Sequence, residues 1–105
     1  MKRGLTEICY GFFSTLANPT RLAILEKLMN KPMSVGDIVD ALDQEQSMVS
    51  HNLRILERCN LVSSQRSGKE KLYVVNRETV GDIFQVVKNH AEKHCPSHGS
   101  CEFAK

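Results

Sequence analysis

The sequence has 105 residues, which suffices for one small domain but not for a catalytic domain joined to a separate regulatory one. Hydrophobic residues make up 41% and charged residues 25%, as is usual for a soluble globular chain. Charges interrupt every long apolar run, so no transmembrane span is predicted. We therefore expect a cytoplasmic protein whose four cysteines are reduced thiols available for metal or redox chemistry.

The net charge of +2 conceals an uneven distribution along the chain. Residues 34–45 carry four acidic groups and no basic group, whereas residues 46–77 carry six basic and two acidic groups. A basic stretch of this kind indicates a local surface for a polyanion, although many charge runs only face solvent.

Two amphipathic helices are predicted at the start of the chain. The first has an apolar stripe at helical spacing, formed by Leu5, Ile8, Cys9, Phe12 and Leu16. The second begins at Asn18-Pro19, where Asn suits the cap and Pro the first helical position. Its predicted apolar stripe is Leu22, Leu25, Leu28 and Met29.

The next two predicted helices are short and lie close together in sequence. Ser34 and Asp37 have the spacing of a capping box, which predicts a third helix from Ser34 onwards. A polar turn at 43–45 precedes a fourth helix from about Gln46 to Cys59, and Asn60 suits the left-handed position after it. Two short helices joined by such a turn form a helix-turn-helix unit.

The apolar period then changes from 3.6 to 2, which predicts a β-hairpin. Residues 61–66 and 71–75 are the strands, and residues 67–70, which include Gly68, are the loop. A last helix is predicted from about Glu78 to His94, ending before Pro96. Its apolar stripe is Val80, Ile83, Phe84, Val87 and Ala91. The order α-α-α-α-β-β-α predicts a mainly helical winged helix-turn-helix domain over residues 1–94, followed by a tail at 95–105.

The second helix of a helix-turn-helix unit can enter a major groove about 12 Å wide. Its side chains with groups for base edges are Gln46, Ser47, Met48, Ser50, His51 and Arg54. Arg66 and Lys69 at the hairpin tip have the reach and charge to contact phosphates or the minor groove. The predicted partner is therefore double-stranded DNA.

Three segments together resemble the ArsR/SmtB family of winged-helix repressors. They are NPTRLAIL at 18–25, QSMVSHNLRIL at 46–56 and LV at 61–62. The resemblance covers about residues 5–94 and implies a homodimer built on the first and last helices, bound to an operator with two half-sites. It also implies release of DNA when a metal, metalloid or thiol-reactive signal arrives. Asn52 stands where the family often has His.

The resemblance implies several alternative places for sensing residues. The third helix, at 35–42, lacks the Cys-x-Cys pair of one variety. A second variety has ligands on the last helix, where Asp82 matches but Phe84 replaces a His, with Cys95 and His98 near the later two positions. A third pairs a cysteine at the position of Cys59 with a tail cysteine of the other subunit, but Ile55 replaces the second cysteine of the recognition helix here. Other members use tail cysteines.

The end of the chain is rich in metal-ligating side chains, namely His90, His94, Cys95, His98 and Cys101. Soft thiolates select cadmium, lead, zinc or trivalent arsenic, and imidazole suits zinc. We expect Cys95, Cys101 and His98 to bind the inducing ion, with Cys59, His94 and His90 as possible further ligands. Cys9 and Cys59 are also candidates for ordinary core positions, since a thiol packs as a small apolar group.

Two other interpretations stay open at this point. Cys95 with Cys101, or Cys9 with Cys95, would form a disulfide or polysulfide in a redox-sensing or reactive-sulfur-sensing repressor of the same fold. Alternatively, the chain would be a small metal-binding or protein-interaction module without operator binding. Because no Cys-x-x-Cys, nucleophile elbow or phosphate-binding Gly loop is present, an enzyme is not expected.

Overall fold

The computed structural model describes residues 4–95, apart from the side chains of Ile8 and Cys9. Five helices and one antiparallel hairpin follow in the predicted order, which confirms the winged helix-turn-helix fold. The elements are α1 (Leu5–Leu16), α2 (Pro19–Asn30), α3 (Val35–Leu42), α4 (Gln46–Arg58), β1 (Val62–Ser67), β2 (Glu70–Val75) and α5 (Arg77–His94). Within residues 4–95, no helix is long and apolar enough to cross a membrane.

Local side-chain caps define the helix starts that the sequence predicts. The Asn18 side chain accepts a hydrogen bond from the Arg21 backbone N–H at 3.0 Å, at the start of α2. Ser34 and Asp37 form the predicted reciprocal capping box, with both bonds at 3.1 Å. Asn60 has a φ of 56° in the turn after α4, as expected, and Asp43 has a φ of 53° after α3. Both residues tolerate this left-handed conformation better than most.

The wing is longer and its turn tighter than predicted. Ser67 pairs with Glu70 at the ends of β1 and β2, so the turn consists of Gly68 and Lys69 alone. Gly68 has a φ of 65°, which glycine adopts at no steric cost. Met33, in the segment between α2 and α3, forms a β-bridge with Tyr73. This bridge attaches the base of the wing to the helix-turn-helix unit.

One aliphatic core lies between the helices and the base of the wing. Its fully buried side chains are Ile24, Leu25, Leu28, Ile38, Val49, Leu53, Leu56, Leu61 and Val80. Three positions of the predicted apolar stripes are not in the core, since Leu5 of α1 is 78% exposed, Leu22 of α2 is 38% exposed and Val87 of α5 is 58% exposed. Ile24 is buried on α2 instead, because α2 contacts α1, α3, α4, α5 and β2 on several sides. Leu22 and Val87 both lie on a groove described below.

Candidate nucleic-acid interface

Helix α4 has one buried face and one exposed face. Val49, Asn52, Leu53 and Leu56 are buried. Leu53 and Leu56 pack in the core, and α4 contacts α2, α3 and β1. The opposite face of α4 is therefore held outward by packing of the buried face, and it is available to a partner.

The exposed face of α4 carries most of the side chains that the sequence predicts as base contacts. Those exposed are Gln46, Ser47, Met48, His51 and Arg54, whereas Ser50 is half-buried. Helical geometry places Ser47, His51 and Arg54 in one row, because residues three and four apart are neighbours on a helix. An arginine, a histidine and small polar groups in one row supply both donors and acceptors to base edges.

The wing adds positive charge beyond α4. Arg66 and Lys69, both predicted, are exposed near the tip of the hairpin. Arg66 lies directly opposite Lys71 in the strand register, and the Lys71 Nζ atom is 5.3 Å from the centre of the Tyr73 ring. Like charges opposite one another weaken a hairpin, and an anionic partner relieves that repulsion. Lys71 was not predicted as a contact, although the predicted strands at 61–66 and 71–75 already placed it opposite Arg66.

A cluster of polar side chains lies behind α4, with Thr15 and Asn52 buried and Arg21 and Cys59 half-buried, and the sequence did not indicate it. Asn52 accepts a hydrogen bond from Arg21 Nε at 3.0 Å. Arg21 Nη1 donates to the Thr15 carbonyl at 3.2 Å, and the Thr15 hydroxyl lies 3.3 Å from Cys59 Sγ. Among the described residues, every buried side-chain nitrogen and oxygen has a hydrogen-bond partner. The cluster joins α1, α2 and α4 by directed contacts.

An apolar groove of about 900 Å³ lies between α1, α2 and α5. Its lining includes Phe13, Leu16, Leu22, Phe84 and Val87. Large apolar side chains on α1 and α5 are also strongly exposed, namely Leu5, Tyr10, Phe13, Val86 and Val87. A contiguous apolar surface of this kind marks a protein–protein interface.

The predicted sensing residues fall only partly within the described chain. His90 and His94 are exposed on α5 with ring centres 5.1 Å apart, and Cys95 is half-buried directly after that helix. Cys59 is half-buried at the C-terminal cap of α4 and packs against the core. His98 and Cys101 lie outside the described residues, as does the side chain of Cys9. Within residues 4–95, no three His, Cys, Asp or Glu side chains converge on one point.

The fold and the exposed face of α4 define a DNA-binding transcriptional regulator of the winged helix-turn-helix class. A model of the bacterial regulatory protein arsR family matches residues 18–64. The HTH-type transcriptional regulator NmtR of Mycobacterium tuberculosis is 39% identical over 77 residues, which are 73% of this chain and 64% of NmtR. The transcriptional repressor SdpR of Bacillus subtilis is 30% identical over 81 residues, 77% of this chain and 90% of SdpR. The chain belongs to the arsR family.

A solved structure agrees with this assignment. The homodimeric winged helix-turn-helix DNA-binding domain Mb0332 of Mycobacterium bovis superposes with a TM-score of 0.78 at 29% identity. The match covers 92% of this chain and 90% of that domain. The chain thus spans nearly the whole of that domain but slightly less than two thirds of NmtR. Family membership confirms the expectation of a regulator and not an enzyme.

Proposed function

We propose that this protein is a homodimeric transcriptional repressor that binds an operator in double-stranded DNA and releases it on binding a thiophilic ion. The observation that carries operator binding is the outward face of α4, where exposed His51 and Arg54 stand opposite buried Leu53 and Leu56. The basic residues of the wing, Arg66 among them, supply contacts to phosphates beside the groove. Such a repressor acts in the cytoplasm, where its DNA lies.

Homodimerisation follows from the groove between α1, α2 and α5. Phe13 is 65% exposed and Val86 is 66% exposed, so both leave apolar surface in water in a single chain. A second copy, bound symmetrically through the same surface, would cover these side chains on both subunits. It would also set the two α4 helices apart at the spacing of successive major grooves, about 34 Å.

Operator binding is tested with a duplex that the wild-type protein selects from a randomised pool, compared with a scrambled duplex. Fluorescence anisotropy should give a lower Kd for the selected duplex, with an affinity that falls steeply as salt is raised. The variant Arg54→Ala should weaken selected binding by about 1–3 kcal/mol. Lys93→Ala removes an equal charge from the exposed end of α5 and serves as the control. Equal, salt-independent affinity for both duplexes would instead favour a metal-binding or protein-interaction module.

The inducer is proposed to be arsenite, cadmium, lead or zinc, held by Cys95, Cys101 and His98. What supports this is the position of Cys95 at the end of α5, the helix that also lines the proposed dimer groove. His90 and His94 are placed to assist, because they project from the same end of α5. Cys59 is the further candidate, at the C-terminal cap of α4.

Ion binding at this end of α5 would act on DNA through the dimer. A change in α5 alters the contact between subunits, and therefore the relative positions of the two α4 helices. A coupling free energy of about 1–3 kcal/mol would lower operator affinity by about 5- to 150-fold.

The sensing proposal is tested by gel shift with the doubly substituted protein, Cys95→Ser with Cys101→Ser. At least one of the four ions should release the operator from the wild-type protein, and the double variant should lose that release. Unchanged release from the double variant would exclude these thiols as the sensor. Mass spectrometry after peroxide or polysulfide treatment distinguishes the redox alternative, in which no metal adduct forms and a cysteine pair loses two hydrogen atoms, with added sulfur mass where the link is a polysulfide.

A further inference from the structure

We infer that Arg21 and Asn52 are positioning residues for DNA recognition, which orient α4 relative to α1 without touching DNA themselves. The inference rests on the proposed operator binding and adds to it a determinant of specificity behind the recognition surface. Three observations carry it: the burial of Asn52, the directed contacts of Arg21, and a second attachment of α4 at Cys59.

Asn52 lies on the recognition helix but faces the interior. It is only 6% exposed, so a DNA duplex on the outer face of α4 does not reach it. Its Oδ1 accepts from Arg21 Nε at 3.0 Å, and its Nδ2 donates to the Met48 carbonyl at 3.0 Å. Both ends of the amide are therefore used, one for α2 and one for the N-terminal half of α4 itself. A buried amide satisfied in this way has one preferred orientation.

Arg21 extends the connection from α4 to α1. While its Nε binds Asn52, its Nη1 donates to the Thr15 carbonyl at 3.2 Å. The guanidinium group is planar and its donors are fixed relative to one another, so two simultaneous bonds define a direction as well as a distance. Thr15 is itself 7% exposed and its hydroxyl donates to the Gly11 carbonyl at 2.8 Å, which makes it a firm attachment point on α1.

Thr15 also contacts α4 directly, in addition to its link through Arg21. Its hydroxyl lies 3.3 Å from Cys59 Sγ at the C-terminal cap of α4. Asn52 and Cys59 are seven residues apart, or about 10 Å along a helix. Two attachments at that separation restrict tilting of α4 against α1, whereas apolar packing alone tolerates small rotations.

The restriction matters because α1 lies in the proposed dimer interface. The chain of contacts from Thr15 through Arg21 to Asn52 connects that interface to the recognition helix. A tilt of α4 in each subunit moves both reading faces away from half-sites about 34 Å apart. Contacts to base edges require close geometry, but contacts to phosphates tolerate such a shift. Loss of the cluster should therefore reduce specificity more than general DNA affinity.

The experiment measures the Kd of full-length variants for the selected duplex and for the scrambled duplex by anisotropy. Asn52→Leu keeps a buried side chain of similar size but leaves Arg21 Nε without its acceptor. We expect it to weaken selected binding by about tenfold, and scrambled binding by no more than about twofold. Asn52→Asp restores an acceptor for Arg21 and should recover selected affinity to within about threefold of the wild type.

Two further variants keep the test decisive if Asn52→Leu does not fold. Arg21→Lys keeps the charge but has a single donor group, and it should lower the ratio of selected to scrambled affinity by about threefold. Arg77→Lys is the matched control for Arg21→Lys, because it also keeps the charge and Arg77 Nη2 donates to the Met29 carbonyl, which joins α5 to α2. It should leave the ratio unchanged.

Circular dichroism identifies a temperature at which every variant is fully folded, and the dimer Kd shows whether it still dimerises. Comparison under these conditions separates a change in the orientation of α4 from a loss of folding. An unchanged ratio of selected to scrambled affinity in folded Asn52→Leu or Arg21→Lys would overturn the inference. A failure of Asn52→Asp to recover this ratio would also overturn it. A wild-type protein that selects no sequence overturns the proposed function as well. Selection by the wild type with an unchanged ratio in the variants overturns the inference alone.

Discussion

Removal of the Phe13 side chain should convert the protein from a dimer to a monomer. A phenylalanine side chain buries about 150–250 Å² when it is fully covered. Phe13 leaves 65% of its surface exposed on the groove, so a partner subunit can cover about 100–160 Å² of it. At about 25 cal/mol per Å², this burial contributes about 2.5–4 kcal/mol for each copy.

Alanine retains a small part of that contact, so Phe13→Ala should cost about 2–3 kcal/mol for each subunit. A symmetric dimer contains two copies of the residue, and the total of about 4–6 kcal/mol raises the dimer Kd by about 10³- to 10⁴-fold. Sedimentation equilibrium over a dilution series measures this Kd directly. Phe13 is 65% exposed and its ring lies edge-on to Phe12, with ring centres 5.7 Å apart, so its removal takes little from the core and the isolated fold should survive.

Met48→Ala is the matched control for this measurement. Met48 is also a large exposed apolar side chain, 46% exposed, but it lies on α4 away from the groove. Its loss should leave the dimer Kd unchanged in the absence of DNA. A Phe13→Ala protein that dimerises as tightly as the wild type would show that the groove is not the subunit interface.

Two further predictions concern the wing and the core. Lys69→Ala or Arg66→Ala should weaken binding to the selected and scrambled duplexes alike. Each should reduce the slope of log affinity against log salt concentration by about one, as measured by anisotropy at several salt concentrations. An unchanged slope would mean that the wing does not contact phosphates. Leu53→Ala should lower the free energy of unfolding by about 2–5 kcal/mol in urea denaturation, because Leu53 is fully buried. The exposed Gln65→Ala should change it by less than about 0.5 kcal/mol, and similar losses in both variants would argue against the core described above.

Features encoded within a few residues were predicted correctly. The cap at Asn18 and the capping box of Ser34 with Asp37 depend on contacts three residues apart, which the spacing in the sequence displays. The left-handed residue Asn60 was predicted for the same reason. The exposure of Ser47, His51 and Arg54 agrees with helical periodicity, because the apolar Val49, Leu53 and Leu56 recur at helical spacing on the other face of α4 and are buried.

Apolar periodicity predicted burial wrongly where an apolar side chain lies on the surface and not in the core. Leu22 and Val87 occupy regular positions in apolar stripes, yet both are exposed on the groove. The same apolar pattern occurs on a helix face that packs within the chain and on a face that stays exposed in the single chain. Only the arrangement of α1, α2 and α5 separates the two cases.

The polar cluster behind α4 has no signal in the sequence at all. Arg21 and Asn52 are 31 residues apart, and Thr15 and Cys59 are 44 apart. An isolated arginine or asparagine on a helix reads as a surface residue, because most are exposed. That Asn52 is buried and Arg21 half-buried becomes apparent only when α1, α2 and α4 are packed together.

The sequence by itself determined the order of helices and strands, their caps, and the face of α4 turned away from the core, because these features depend on neighbours within one or two helical turns. The tertiary structure alone decided which apolar side chains remain uncovered on the groove and which polar ones join α4 to α1. Both depend on the relative placement of elements distant in sequence, and that placement follows from packing of the whole core.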